Sequence, residues 1–90
     1  MEIRHLITFQ TIIEIGSYTG AASQLGYTQS TITTHVQALE QEIGGALFMY
    51  EKRRLRLTAL GRELIPLAED LLATHDQIRN IRSNQRLKVL

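Results

Sequence analysis

Uncharged hydrogen-bonding side chains dominate one face of segment 29–43, QSTITTHVQALEQEI. At 100° per residue, the polar residues of this segment fall opposite its apolar ones. The outward set is Ser30, Thr34, Gln37 and Gln41, flanked by Thr31, Thr33 and Ala38. A solvent-facing helix usually carries Glu and Lys pairs there, whereas hydroxyls and amides can hydrogen-bond base edges in the DNA major groove. One such residue alone would be ordinary polar surface; together they favour a DNA-reading face.

A glycine turn precedes this segment. Small residues such as Ala22 let two backbones approach closely, and Gly26 can adopt the left-handed conformation that a sharp helix–helix turn needs. The spacing of Ala22, Gly26 and Ile32 is typical of a helix-turn-helix, whose second helix enters the major groove. Glu40 and Glu42 would repel phosphates, so we expect the N-terminal half of the second helix to be the inserted part.

A basic run, Lys52-Arg53-Arg54, lies further along the chain. By itself it is best interpreted as a solvated turn, but beside a DNA-reading helix it becomes a phosphate or minor-groove contact. A net charge of +1 and a pI near 8.2 count mildly against nucleic acid, because DNA-binding domains usually exceed a pI of about 9. The charge is nevertheless polarised, since a second basic group at 79–88 follows an acidic stretch at 63–76.

The remaining residues form no recognisable catalytic or metal site. His5, His35 and His75 are far apart, and none has a second ligand at metal-binding spacing. The chain has no Gly-rich phosphate loop, no nucleophile elbow and no cysteine. The segment MEIRHLITFQ lacks a basic region followed by a long apolar run, and no stretch approaches membrane-spanning length, so we expect neither a signal peptide nor a membrane helix. We therefore expect a cytoplasmic chain that is not an enzyme and binds no cofactor or metal, with His35 partly buried at the edge of an apolar face.

Hydrophobic periodicity predicts the elements that position these residues. Three helices are expected over 2–15, about 19–25, and 29–43, the third capped by Thr28. Two strand-like runs, 46–50 and 55–58, then flank a charged segment and predict a two-stranded wing. Because the turn between them contains no glycine, its geometry stays open.

A long helix is predicted from Thr58 onward, with Thr58 as its N-cap. Its apolar residues step by four and three in alternation, as in a heptad seam: Leu60, Leu64, Leu67, Leu71, Thr74, Ile78 and Ile81. A core stripe is the usual explanation, but a helix of roughly 35 Å, at ~1.5 Å per residue, is too long for so small a domain to cover. We therefore expect a second copy to pair along this seam. Pro66 predicts a kink or break near 62–65.

In combination these features resemble the N-terminal winged helix-turn-helix of LysR-type transcriptional regulators. The resemblance spans about residues 1–81 and is carried by the aromatic-bearing first helix, AASQLGYTQSTIT, HVQALEQEIG, LF and LT…G. It implies a mainly α fold, in which a winged helix-turn-helix of three helices and a two-stranded wing precedes a long dimerisation helix. It also implies a bacterial homodimer on interrupted palindromic promoter DNA, with pairing into tetramers left open for the full-length protein.

The resemblance also assigns site residues. Gln29, Ser30, Thr31 and Thr33 match positions that meet DNA, and Arg53 matches a wing arginine. The complete predicted DNA-contacting set is Gln29, Ser30, Thr31, Thr33, Thr34, Gln37, Lys52, Arg53 and Arg54. The predicted dimerisation set is Leu60, Leu64, Leu67, Leu71 and Ile78.

Three positions depart from the family pattern. Many members carry Arg or Lys where this chain has Thr34, Arg where it has Tyr50, and Ala where it has Leu60. The first two departures remove positive charge, so DNA binding is expected to depend on the wing and on two copies acting together.

The predicted organisation has three parts. Residues 1–58 form the winged helix-turn-helix, 59–81 the linker or dimerisation helix, and 82–90 a hinge and the start of a further domain. The resemblance implies that this further domain binds a small-molecule effector. The alternative is a protein-interaction module that dimerises through the helix at 60–81 without touching DNA, which the low net charge supports.

Overall fold

The computed structural model describes residues 1–82. In this part of the chain, four helices and a two-stranded antiparallel sheet follow one another: α1 (Ile3–Ile15), α2 (Tyr18–Leu25), α3 (Gln29–Ile43), β1 (Phe48–Glu51), β2 (Arg54–Leu57) and α4 (Ala59–Arg79). The predicted winged helix-turn-helix followed by a long helix is therefore confirmed. The predicted hinge at 82–90 lies, apart from its first residue, outside the described residues.

Side-chain caps and a left-handed glycine fix the ends of the functional helices. Thr28 accepts a hydrogen bond from the Thr31 amide at 3.2 Å, and Thr58 accepts one from the Gly61 amide at 3.0 Å. Gly26 ends α2 at a φ of 73°, a conformation that side chains with a Cβ rarely adopt. The chain consequently turns sharply between α2 and α3, as predicted.

Two neighbouring apolar clusters form the core. The first consists of Leu6, Phe9, Leu39, Leu47 and Ala68. The second consists of Ile12, Ala21, Ala22, Ile32 and Val36. Phe48 packs against both clusters, with its ring centroid 5.6 Å from that of Phe9 and 5.9 Å from that of Tyr18. The first residue of the wing is thus anchored in the helical core, which fixes the wing relative to α3.

The first wing strand begins two residues later than predicted, and the second begins one residue earlier. The predicted runs 46–50 and 55–58 are replaced by β1 and β2, whose pairing extends to Glu51 opposite Arg54. The hairpin closes this tightly because Lys52 and Arg53 both adopt positive φ, at 50° and 66°, as in a type I′ turn. Such a turn normally uses Asn or Gly, so its residues did not reveal it.

α4 runs without interruption past Pro66, so, of the predicted kink or break near 62–65, the break is wrong. The proline is exposed, and the carbonyl that it leaves without a helical partner belongs to Arg62, which is also exposed. The N-terminal part of α4 packs closely on the domain, because a Cβ on Gly61 would meet the Leu47 carbonyl oxygen and, at 2.7 Å, Leu57 Cδ2. α4 is therefore seated by backbone contact at its first turn.

Candidate nucleic-acid interface

The two faces of α3 divide as the helical wheel predicts. Ile32 and Leu39 are fully buried and Val36 nearly so. Four of the predicted contact residues are exposed on the other side: Gln29, Ser30, Thr34 and Gln37. Thr31 and Thr33 are half-buried at the margins of that face. The structure thus brings all six helical candidates to the N-terminal two and a half turns of one helix.

Hydroxyl and amide groups cluster at the start of α3. Thr28 Oγ1 lies 3.3 Å from Ser30 Oγ and 3.0 Å from Thr31 Oγ1. From the neighbouring α2, Thr19 Oγ1 donates to Gln29 Oε1 at 3.3 Å. Sequence alone could not predict the contact between Thr19 and Gln29, because a contact across the helix-turn-helix depends on the angle between α2 and α3.

Two threonines of the exposed face donate their hydroxyl protons to their own helix. Thr33 Oγ1 donates to the Gln29 carbonyl at 3.1 Å, and Thr34 Oγ1 donates to the Ser30 carbonyl at 2.9 Å. This back-bonding uses the hydroxyl proton of each residue and leaves its oxygen lone pairs available as acceptors. The helix therefore offers a defined set of acceptors and apolar contacts along its first turns.

The C-terminal part of α3 has a structural task. Glu40 Oε2 accepts a hydrogen bond from the Leu47 amide at 2.9 Å, which ties this carboxylate to the segment entering the wing. Burial, reinforced by the negative charge of Glu40, raises the pKa of Tyr18 to about 12. Charge at this end is used within the fold, as expected if the N-terminal half carries recognition.

The wing presents a compact cationic tip. Lys52, Arg53 and Arg54 are all exposed, and within residues 1–82 no carboxylate lies within ion-pair distance of them. Arg56, which is not in the predicted set, is exposed two residues beyond Arg54 on β2 and extends this basic surface. Tyr50 is 70% exposed on β1 and adds a hydroxyl-bearing ring to the wing.

A buried histidine supports α3 from behind. His35 is only 5% exposed, more buried than the sequence indicated, and its Nδ1 lies 2.8 Å from Thr8 Oγ1 on α1. The rings of His5 and Tyr27 lie 4.9 and 5.2 Å from it, centroid to centroid. Burial, followed by the neighbouring charges of His5 and Arg4, lowers the pKa of His35 below its usual value, with Glu2 opposing them.

Acidification should therefore destabilise the domain through His35. Because its folded-state pKa is lowered, the unfolded chain binds the proton first as the pH falls below about 6.5. The contribution of His35 to the free energy of unfolding is therefore fully present above that pH and decreases as the pH falls toward the folded-state pKa. We expect the melting temperature to fall between about pH 7.5 and pH 5.5, and this fall to be smaller in His35→Gln. An unchanged pH profile in His35→Gln would contradict the assignment.

Residues 1–82 hold neither a metal-binding cluster nor a membrane-spanning helix, but they do form an apolar groove. Across residues 1–82, no three His, Asp or Glu side chains come together in a group that could hold a metal ion. No helix in that range is long and apolar enough to cross a membrane. An apolar groove of about 320 Å³ lies between α4 and the ends of α1 and α3, and its lining includes Ile43, Leu64, Leu67 and Leu71.

Residues 3–62 match the sequence profile of the family described as bacterial regulatory helix-turn-helix protein, lysR family. The chain belongs to this family. Since these are regulatory proteins, the expectation that the chain is not an enzyme is confirmed. Among curated relatives, the uncharacterized HTH-type transcriptional regulator YfiE of Escherichia coli (strain K12) is 42% identical over 79 residues, covering 88% of this chain and 27% of that protein.

Other relatives give the same result. The HTH-type transcriptional regulator CzcR of Bacillus thuringiensis subsp. konkukian (strain 97-27) is 37% identical over 81 residues, 90% of this chain and 28% of its own length. This lysR-family chain thus spans little more than a quarter of the curated relatives that it matches.

Solved structures of lysR-family DNA-binding domains superpose along most of the chain. The BenM domain in complex with benA site 1 DNA is 31% identical, with a TM-score of 0.84 over 96% of this chain and 97% of that chain. The CbnR domain in complex with DNA is 33% identical, with a TM-score of 0.79 over 98% of this chain and 95% of that chain. The agreement confirms the winged helix-turn-helix architecture.

Proposed function

We propose that this chain is the sequence-specific DNA-binding unit of a transcriptional regulator, which inserts the N-terminal half of α3 into the major groove of promoter DNA. One observation carries the proposal: the exposed side chains there are uncharged donors and acceptors, matched in kind to base edges. The DNA complexes of the BenM and CbnR domains support it, because those proteins share this architecture.

Phosphate binding is assigned to the wing tip. Lys52, Arg53 and Arg54 are exposed cations on a short hairpin that is anchored through Phe48 to the same core as α3. Contacts of this kind fix the position of a protein on DNA without reading sequence. Base reading and electrostatic attraction are thus placed on two different elements.

We further propose that the unit acts as a homodimer on a palindromic site. Leu67, Leu71 and Ile78 lie along one side of α4 and remain exposed, at 64%, 40% and 65% respectively. Leu60 and Leu64, in contrast, pack partly against the first core cluster of their own domain. The exposed stripe borders the apolar groove beneath α4, so a second α4 could cover both.

A gel-shift titration of the 90-residue chain against a pool of duplexes, at two salt concentrations, tests the proposal. We expect binding that weakens steeply with salt, because each phosphate neutralised adds close to 0.9 to the logarithmic salt slope. Absence of salt-sensitive binding, together with retained self-association, would contradict the proposal and favour the protein-interaction module.

Reader and anchor residues should respond differently to mutation. Gln29→Ala removes a base contact, so we expect a loss of roughly 1–3 kcal/mol on the preferred duplex and a smaller loss on random DNA. Arg53→Ala should weaken binding to all duplexes and flatten the salt dependence. Equal losses on preferred and random duplexes for both variants, measured by fluorescence anisotropy, would refute this division of roles.

In a longer protein, we propose, this unit is coupled to a domain that binds a small-molecule effector and acts in the cytoplasm, where the bacterial chromosome lies. This chain matches only 27% of YfiE and 28% of CzcR, so the rest of those proteins is long enough to contain such a domain.

A further inference from the structure

Thr34 presents an unusual combination of groups at the centre of the reading face. Its side chain is exposed, and it lies one helical turn from both Ser30 and Gln37, which are exposed as well. Because its hydroxyl donates to the Ser30 carbonyl at 2.9 Å, its proton is already committed. What remains toward the outside is an oxygen acceptor and a γ-methyl group, with no donor and no charge.

While its proton is donated to the Ser30 carbonyl, the Thr34 side chain does not match the DNA backbone as a partner. Phosphate and sugar oxygens in DNA accept hydrogen bonds, and an oxygen that only accepts cannot bind them. Guanine offers two acceptors in the major groove, N7 and O6, which require a donor such as Arg or Lys. The donors available in that groove are the exocyclic amino groups of adenine and cytosine.

The γ-methyl group of Thr34 distinguishes between adenine and cytosine as the donor. An A·T pair places the adenine N6 amino group and the thymine C5 methyl on the same major-groove edge, whereas a G·C pair offers an amino group without a methyl. We infer that Thr34 specifies an A·T pair in each half-site, accepting from adenine N6 and packing its methyl against thymine. This inference rests on the proposed insertion of α3 into the major groove.

Two variants of Thr34 separate its two contacts. Thr34→Val keeps the γ-methyl group and the shape of the side chain but loses the hydroxyl acceptor. Thr34→Ser keeps the hydroxyl acceptor but loses the γ-methyl group. The DNA can be changed in the matching way. 2-Aminopurine in place of adenine lacks the N6 amino group but still pairs with thymine, and deoxyuridine in place of thymine lacks the methyl.

The wild-type chain is first used to select a binding site from random duplexes. At each position of that site, the affinity is then measured for the four base pairs and for both base analogues. At one A·T position, we expect each analogue to weaken wild-type binding about three- to tenfold. Thr34→Val should become insensitive to 2-aminopurine while still responding to deoxyuridine, and Thr34→Ser should show the reverse. Such coupling between protein and DNA changes indicates a direct contact.

Contrary results are equally defined. If both variants weaken all duplexes by the same factor, or if the position sensitive to Thr34 prefers G·C, the inference is overturned while the proposed function stands. If the wild-type chain selects no sequence at all, the proposed function fails together with it. Retained binding of each variant to nonspecific DNA at low salt shows that the variant is folded.

Discussion

Replacing Leu67 and Leu71 by glutamate should convert the chain from dimer to monomer and lower its affinity for a two-half-site duplex by about a hundredfold or more. The loss is large because binding of the second half-site becomes intramolecular once the first is occupied, and this advantage reaches 10²–10⁴ without new contacts. Both leucines are exposed in the isolated chain, at 64% and 40%, so the charges add little strain to the monomer. Sedimentation and anisotropy measure the two effects.

Ala73→Glu provides a matched control for this variant. Ala73 is exposed on the same helix but lies away from the leucine stripe, so the same charge there should leave the dimer intact. Affinity for a duplex with a single half-site should change little in either protein. If the wild type is already monomeric at the concentrations used for binding, or if the double variant still dimerises, the assignment of the seam is wrong.

Gly61→Ala should destabilise the domain by about 3 kcal/mol, even though alanine is the better helix former. An added Cβ would collide with the Leu47 carbonyl oxygen and with Leu57 Cδ2, and a backbone carbonyl cannot move aside as a flexible side chain can. For a domain of this size, the expected fall in melting temperature is roughly 10–25 °C.

Gly16→Ala makes the same change in open space and isolates the packing contribution. Gly16 has a φ of 90° and no atom within 4 Å of an added Cβ, so its cost is limited to left-handed backbone strain of about 1–2 kcal/mol. Similar melting temperatures for the two variants would mean that α4 is not seated by the contact with Leu47.

The bounds and the two faces of α3 could be predicted from the sequence because they depend on residues within the helix itself. A period of 3.6 residues separates Ile32 and Val36 from Thr34 and Gln37, and Thr28 marks the start of the helix with a hydroxyl cap. The burial observed for these residues follows from the same pattern. Motif matches then identified the family, since the helix-turn-helix, wing and linker occur in one order.

What the sequence could not predict depends on contacts between elements. The strand register follows from positive φ at Lys52 and Arg53, residue types that seldom adopt it, and the burial of His35 depends on how closely α1 approaches α3. The apolar residues of α4 fall into two groups: those near its start pack against the core of their own domain, and those further along are exposed. Periodicity alone cannot locate that point, because packing on one's own core and packing on a partner use the same apolar spacing.

Selection of bound sequences from a random duplex library by the 90-residue chain tests the central claim most directly. Two α3 helices related by a two-fold axis should enrich an inverted repeat whose half-sites are separated by one helical turn, about 10 base pairs, or a multiple of it. A single motif without symmetry would contradict the dimeric arrangement, and a pool that remains random after repeated rounds would contradict sequence-specific DNA binding itself.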